Sequence, residues 1–389
     1  MTSESPLIYL IAGEPSGDML GASLMAGLSE RMGGAVRFAG IGGESMRAKG
    51  LSSLFPMSDL SIMGLAEVLP RIPKILRRVD QTLDHIRSVS PVAVITIDSW
   101  GFCGRIQNQL KAKNPAIKRI HYVAPMVWIW KSGRTKSLAK VLDMLMTLLP
   151  FEPAWFEKEG LKSICVGHSV LESGAGQGDG PGFRIRHGIA ADAPILTVLP
   201  GSRHNETARL LPVFEKTVRH LAKTIPNLNV VIPTVEGVAS QVHKAVEHWP
   251  IPVTVTMGAQ DKYDGFAASR AALAASGTVT LELALAQVPM VVAYKVSPVS
   301  AFIAIKFLGL RLRYVSLLNI LSDAVVVPEF LQHQCRPEVM ARTLEPLFED
   351  GEIRQAQIAS LSHVVDLLGG TAIRPSLRSA DAVLSVLKG

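Results

Sequence analysis

Asp98 closes the apolar run VAVITID, residues 92–98. At the carboxyl edge of a central parallel strand, a carboxylate faces the ligand crevice. There it can take a proton from a substrate hydroxyl, an effect worth about 10²–10⁴ in rate. The commoner use of such a residue is to cap the helix that follows. The turn Gly13-Glu14-Pro15-Ser16-Gly17-Asp18 also follows an apolar run, LIYLIA, and opens a helix. Its glycines let the backbone approach a ligand, and the exposed amides attract anions or hydroxyls. Glu14, Ser16, Gly17 and Asp18 are therefore candidates, against the plainer reading of a turn capped by Ser16 or Asp18. Further on, Leu199-Pro200-Gly201-Ser202-Arg203 leads into a helix with Glu206 three residues later, and Ala275-Ser276-Gly277-Thr278 leads into another with Glu282 four residues later. Backbone amides beside a forked guanidinium suit a diphosphate. A carboxylate one turn inside the second helix can accept hydrogen bonds from ribose hydroxyls. Two such termini in one domain point to a nucleoside diphosphate more strongly than either alone, although each is also the form of an ordinary capped turn.

Other phosphate and metal signatures are missing. There is no G-x-x-x-x-G-K-[ST] loop, and Gly40-Ile41-Gly42-Gly43 has Ser45 where a dinucleotide fingerprint needs its third glycine. No HExxH, Asp-x-Asp or Cys/His cluster occurs, so neither a metal site nor a cofactor is expected. The three cysteines, Cys103, Cys165 and Cys335, give no disulfide framework and predict a reducing compartment.

The elements that must position these residues follow from the rhythm of apolar runs. Leu7–Ala12, Val36–Ala39, Val92–Ile97, Arg119–Val123 and Met144–Leu149 read as strands buried on both faces, with helical spacing between them. Residues 173–182, SGAGQGDGPG, break the pattern and predict a linker. The rhythm then restarts at Ile195–Leu199, Asn229–Pro233, Val253–Met257, Ala271–Ala275 and Met290–Tyr294, with helices at Glu206–Lys223 and Thr278–Gln287. A last helix spans roughly 372–387 with Thr371 as its cap. The expected class is α/β: two tandem doubly wound Rossmann-like domains facing across a cleft. The expected limits are 1–172 for the first domain, 173–184 for the glycine-rich linker, 185–350 for the second domain and 351–389 for the C-terminal helices.

At 389 residues with 48% hydrophobic and 19% charged, the chain is neither disordered nor a single domain. No apolar run reaches the roughly 18 residues of a membrane span, and the N-terminus lacks a signal-peptide pattern. The expectation is a soluble, cytoplasmic protein. Its net charge of +7 is concentrated: residues 71–140 hold 14 Lys/Arg against three acids. Within this region Leu65, Val68, Ile72 and Ile75 begin an apolar stripe, and Arg71, Lys74, Arg77 and Arg78 lie on the other face. That pattern fits a helix resting on an anionic membrane, and equally one packed on a core. The apolar stretch at 301–310 allows the same two readings.

Taken together, the pieces AGEPSGDMLGA, MGLAEVL, HYVAPMVWIW, LPFEPAW, VGHS, LPGSR, ASGTVTLE, PMVVAYK and YVSLLN resemble the lipid-A-disaccharide synthase family, in family order over nearly the whole chain. The resemblance implies a metal-independent, inverting glycosyltransferase of the GT-B type, with its C-terminal helices returning to the first domain. It implies UDP-2,3-diacylglucosamine and 2,3-diacylglucosamine 1-phosphate (lipid X) as substrates, and UDP and a β(1→6) disaccharide as products. Asp98 becomes the candidate base, with the Glu14/Ser16/Asp18 turn opposite the leaving group. Ser202, Arg203, Ser276, Gly277, Thr278, Glu282 and Asn319 become the donor site. Met63, Leu65 and Val68 would begin an acyl-chain surface beside Arg71, Lys74 and Arg77, on the cytoplasmic face of the inner membrane. The family pattern also implies a homodimer. Pro15, Leu318 and Lys295 depart from that pattern, standing where Thr, Pro and Arg are common. Two other readings compete: a UDP-GlcNAc-dependent transferase or epimerase acting on a non-acylated donor, and a nucleic-acid binder, for which the sequence lacks any recognition motif.

Overall fold

The computed structural model describes residues 5–60, 72–125, 133–295, 313–369 and 373–388. The chain divides into two compact units, Met1–Ser169 with Thr371–Gly389, and Val170–Gly370. Unit 1 is built on six parallel strands: β1 (Leu7–Ala12), β2 (Arg37–Ile41), β3 (Ala93–Ile97), β4 (Lys118–Tyr122), β5 (Met144–Thr147) and β6 (Ser163–Cys165), in the order β2-β1-β3-β4-β5-β6. The apolar runs are continuous because both faces of this sheet are covered. Side chains alternate along a strand. Ile8, Leu10 and Ala12 pack with Leu24, Leu28 and Val383 on one face, while Tyr9 and Ile11 pack with Leu83, Phe102 and Ile106 on the other. The covering helices include α1 (Pro15–Arg31), α2 (Glu44–Ala48), α3 (Ile72–Val89) and α4 (Trp100–Lys113).

Unit 2 repeats the plan with β7 (Ile195–Leu199), β8 (Asn229–Thr234), β9 (Val253–Met257), β10 (Ala271–Ala275), β11 (Met290–Tyr294) and β12 (Glu329–Leu331), all parallel, in the order β12-β11-β10-β7-β8-β9. Its helices include α5 (Gly180–His187), α6 (His204–Leu221), α7 (Ala259–Ala268), α8 (Val279–Leu285), α9 (Leu317–Ser322) and α10 (Glu352–Leu367). Leu196 and Val198 face Leu210, Phe214 and Val218, whereas Ile195 and Val231 face Phe183. The final helix, α11 (Pro375–Lys388), belongs to unit 1. Two short strands, β6 and β12, were not expected from the sequence. Each is three residues long at a sheet edge, below the length at which an apolar run becomes visible.

Two expectations need correction. The glycine-rich segment is folded rather than a bare linker: a turn of 3₁₀ helix covers Ala175–Gln177, and α5 begins at Gly180 with Asp179 accepting from the Gly182 amide at 2.9 Å. Its glycines serve close approach. A Cβ on Gly178 would lie 2.0 Å from the Tyr263 carbonyl oxygen, and one on Gly176 would lie 2.9 Å from that of Leu285. The C-terminal helices also part company. α10 stays in unit 2, where the Gln357 side-chain oxygen accepts from the Met290 amide at 2.6 Å, and only α11 joins unit 1.

Candidate functional site

In unit 1 the chain leaves β1 toward β2 on one side, and β3 enters on the other. The carboxyl ends of β1 and β3 thus flank the point where strand order reverses, the ligand crevice of such a sheet. The turn after β1 carries Gly13–Asp18, and the turn after β3 carries Asp98. They touch: a Cβ on Gly13 would lie 2.8 Å from Ser99 Oγ, and Gly17 packs against Ile97. Asp98 and Ser99 have φ of 53° and 45°, two successive left-handed residues, and Val123 at the end of β4 has φ 81°. For a β-branched residue that conformation is an outlier, and such strain clusters at functional turns. The Asp98 amide donates to the Tyr122 carbonyl at 2.9 Å. Its Oδ1 accepts from the Ser99 amide at 2.8 Å, and the side chain remains half-buried.

Below this turn a buried polar group holds the sheet. The Thr96 hydroxyl lies 2.8 Å from His121 Nδ1, the Gln107 amide donates to Thr96 Oγ1 at 3.0 Å, and the Trp100 ring stands edge-on to His121 at 4.8 Å. Burial pushes the His121 imidazole down to about 3, so it is neutral. On the β1 side, Ser16 is exposed and Glu14 half-buried. Asp18 is buried, and its carboxylate accepts from the amides of Gly43 (2.7 Å), Ser45 (2.8 Å) and Met46 (3.1 Å). It caps α2 rather than its own helix, so its side chain is engaged in structure and not turned to a ligand.

Unit 2 has the same topology. β8 lies on one side of β7 and β10 on the other, so the carboxyl ends of β7 and β10 flank the reversal. These are the strands that end in Leu199-Pro200-Gly201-Ser202-Arg203 and Ala275-Ser276-Gly277-Thr278, which the sheet brings side by side. Ser202, Arg203, Gly277 and Thr278 are exposed there, with Ser276 half-buried. Gly201 has φ 107°, a conformation open to glycine, and a Cβ on it would lie 2.1 Å from Glu206 Oε2. Glu206 folds back over the loop beside Gly201, and burial pushes its carboxyl up. The Ser276 hydroxyl donates to the Val315 carbonyl at 3.1 Å.

Asn319 does not line this mouth. It is buried, its amide nitrogen donates to the Val327 carbonyl (2.9 Å) and Glu329 Oε1 (2.8 Å), and its oxygen accepts from the amides of Val326 (2.7 Å) and Val327 (2.9 Å). Every polar atom is satisfied within the loop. Glu329 in turn accepts from the amides of Val315 (2.9 Å) and Ser316 (2.7 Å), so Asn319 acts on Ser276 only through this relay.

Glu282 stands one turn into α8, its side chain 13% exposed. Lys262 Nζ reaches both of its oxygens at 2.9 Å, and the Tyr263 hydroxyl donates to Oε1 at 3.1 Å. Neither partner was singled out from the sequence, because they lie 20 and 19 residues upstream in an unremarkable helix. Glu206 did leave a signal, its spacing of three from Arg203.

Lys74 and Arg77 lie on α3, where Lys74 pairs with Asp59 (2.5 Å), as does Arg78 (2.6 Å). Among the described residues, Arg77 has no ion-pair partner. Met63, Leu65, Val68 and Arg71, the run at 126–132 and the stretch at 301–310 lie outside the described residues. Among those described, no helix is long and apolar enough to cross a membrane, and no cluster of three His, Cys, Asp or Glu is placed to hold a metal ion.

A model of the lipid-A-disaccharide synthetase family matches residues 8–378. The chain is 60% identical over 382 residues to a lipid-A-disaccharide synthase of Paramagnetospirillum magneticum, covering 98% of each chain. It is 53% identical over 381 residues to that of Rhodospirillum centenum, covering 98% of this chain and 94% of the relative. Among solved structures it resembles a UDP-GlcNAc 2-epimerase from Neisseria meningitidis bound to UDP-GlcNAc, with TM-score 0.61, 11% identity and coverage of 98% and 99%. It also resembles MurG of Acinetobacter baumannii, with TM-score 0.56, 15% identity and coverage of 94% and 99%. At these identities the structural likeness establishes the fold, two Rossmann-like units of the GT-B kind.

Proposed function

From the premise that this chain belongs to the lipid-A-disaccharide synthetase family, we propose that it joins UDP-2,3-diacylglucosamine to 2,3-diacylglucosamine 1-phosphate with inversion, releasing UDP. The observation that carries the donor half is topological: LPGSR and ASGT end the two strands that flank the strand-order reversal of unit 2. There the Arg203 guanidinium and the exposed backbone of Ser202, Gly277 and Thr278 meet the diphosphate, and Glu282 accepts from ribose hydroxyls. Preorganised donors of this kind stabilise charge as it develops on a leaving group, without needing a cation. The Glu206 carboxylate lies over Gly201 of this loop, so a diphosphate seated there displaces it. In unit 1, Asp98 accepts the proton of the acceptor 6-hydroxyl as its oxygen attacks the anomeric carbon. The bond from that carbon to the diphosphate oxygen breaks, and UDP leaves.

Both substrates are amphiphiles, which fits a peripheral seat on the anionic face of the inner membrane, with Met63, Leu65 and Val68 near acyl chains and Arg71, Lys74 and Arg77 near headgroups. Arg77 is the cation of α3 best placed for this, since Lys74 and Arg78 already share Asp59. The test is UDP release from the purified protein given both lipid substrates. Arg203→Ala should lower turnover about 10²–10³-fold, and EDTA should leave the wild type unchanged. Wild-type turnover in Arg203→Ala, or equal activity on plain UDP-GlcNAc, would overturn this reading.

A further inference from the structure

We propose that Lys262, with Tyr263, is a positioning residue for the nucleotide: it holds the Glu282 carboxylate in the one orientation that can receive a ribose hydroxyl. This rests on the donor-site reading above and adds two residues to it. A carboxylate offers about four acceptor directions, two on each oxygen. On Glu282, Oε1 is filled by Lys262 Nζ at 2.9 Å and Tyr263 Oη at 3.1 Å, and Oε2 takes Nζ at 2.9 Å. One direction remains, on Oε2, and three hydrogen bonds from two donor groups fix where it points.

The donors are themselves fixed. Tyr263 is 9% exposed, and its ring lies 6.1 Å from that of Phe266. Lys262 Nζ sits 4.7 Å from the Tyr263 ring centroid, which narrows the rotamers of an otherwise flexible side chain. An exposed Lys–Glu pair is worth little because its geometry wanders. This one is partly buried and held on three sides, and it lies one helical turn from the ASGT loop. The alternative is that Lys262–Glu282 merely clamps α7 to α8. A clamp affects every ligand of the site alike, whereas a positioning residue affects the ligand that uses the positioned group.

The experiment is calorimetric titration of the full-length protein with UDP and with 2′-deoxy-UDP, together with a thermal melt of each variant. A hydrogen bond to a charged group is worth about tenfold or more in affinity, so wild type should prefer UDP by about tenfold. In Lys262→Met that preference should collapse to within about twofold. Lys262→Arg, which restores a cationic donor, should recover most of it, and Tyr263→Phe should give an intermediate ratio. Should Lys262→Met prove too unstable to titrate, Tyr263→Phe carries the test by itself. An unchanged UDP to 2′-deoxy-UDP ratio in Lys262→Met and Tyr263→Phe, whatever happens to the melting temperature, makes the pair a clamp and overturns the proposal. Glu282→Gln separates this failure from failure of the donor-site reading. If Glu282→Gln also leaves the ratio untouched, Glu282 does not meet the 2′-hydroxyl and the donor-site reading of Glu282 fails. If it abolishes the ratio while the other two do not, only the positioning role is lost.

Discussion

Asp98 combines a carboxylate at the strand-order reversal with a left-handed backbone, φ 53°, that Asn and Asp tolerate better than other side-chain-bearing residues. That separates its chemistry from its backbone role. Asp98→Asn keeps the turn and removes the proposed base, so turnover should fall about 10²–10⁴-fold with an unchanged melt. Asp98→Ala should lose the same activity and also destabilise the turn by about 1 kcal/mol. Retained turnover in Asp98→Asn would reduce Asp98 to a turn former. Glu152, from the LPFEPAW piece, offers a test on stability. Its Oε2 accepts from the amides of Leu148 (3.0 Å) and Leu149 (2.9 Å), yet burial pushes its carboxyl up to about 7 from 4.5. The folded state therefore holds the proton more tightly than the unfolded chain. Its contribution is full below about 4.5 and is lost as pH rises through about 7. Glu152→Gln keeps an acceptor for both amides and removes the titration, so its melting temperature should exceed wild type at about pH 8 and converge with it near pH 4. His121 and His168, which burial pushes down to about 3 and about 4, contribute fully above about 6.5 and lose that contribution as pH falls, in both proteins alike. The place of Asp98 at the end of β3 was legible because a charge ending an apolar run is conspicuous. Asp18 and Asn319 were not, because what decides their roles is hydrogen bonding to amides 25–28 and 7–8 residues away along the chain.

At the scale of elements, β7 and β10 were legible to the residue, since each is an apolar run bounded by turn residues. The segment after Ser173 was misread because glycine answers two opposite needs, freedom and closeness, and composition does not distinguish them. Gly178→Ala does. In a free linker the substitution is neutral or slightly stabilising, through the unfolded state. Here the new Cβ meets the Tyr263 carbonyl oxygen at 2.0 Å, a backbone atom of α7 that cannot turn aside. The expected cost is about 1–3 kcal/mol, with weaker UDP binding because α7 carries Lys262 and Tyr263 toward Glu282. Differential scanning calorimetry and a UDP titration check both, and a melt equal to wild type means the segment yields freely.

Across the whole molecule, charge was the least faithful guide. The excess counted over residues 71–140 overlooked acids that fold in from outside that window. Asp59 pairs with Lys74 and Arg78, and Asp143 accepts from the Arg119 guanidinium at 2.7 Å and its amide at 2.7 Å. A sequence window cannot count partners that topology supplies. The same topology makes unit 1 discontinuous, since α11 returns to it after unit 2 is complete. α11 lies along α1 so closely that a Cβ on Gly27 would stand 2.2 Å from the Ser376 carbonyl oxygen, and Ala380, Val383 and Val386 are buried there. Arg31–Asp381 at 2.7 Å and Arg374–Glu30 at 2.6 Å flank the contact, but they are exposed and add little. Burying an aliphatic side chain of this kind is worth about 1.5–3 kcal/mol. A chain ending at residue 370 should therefore lose several kcal/mol from unit 1 and nothing from unit 2. Hydrogen exchange should show lost protection in β1 and α1 while β7 and β10 keep theirs, and UDP should bind within about twofold of wild type, since every donor-site residue named here lies between 173 and 329. Loss of UDP binding in that truncated chain, with β7 and β10 still protected, would mean that unit 1 contributes to holding the nucleotide.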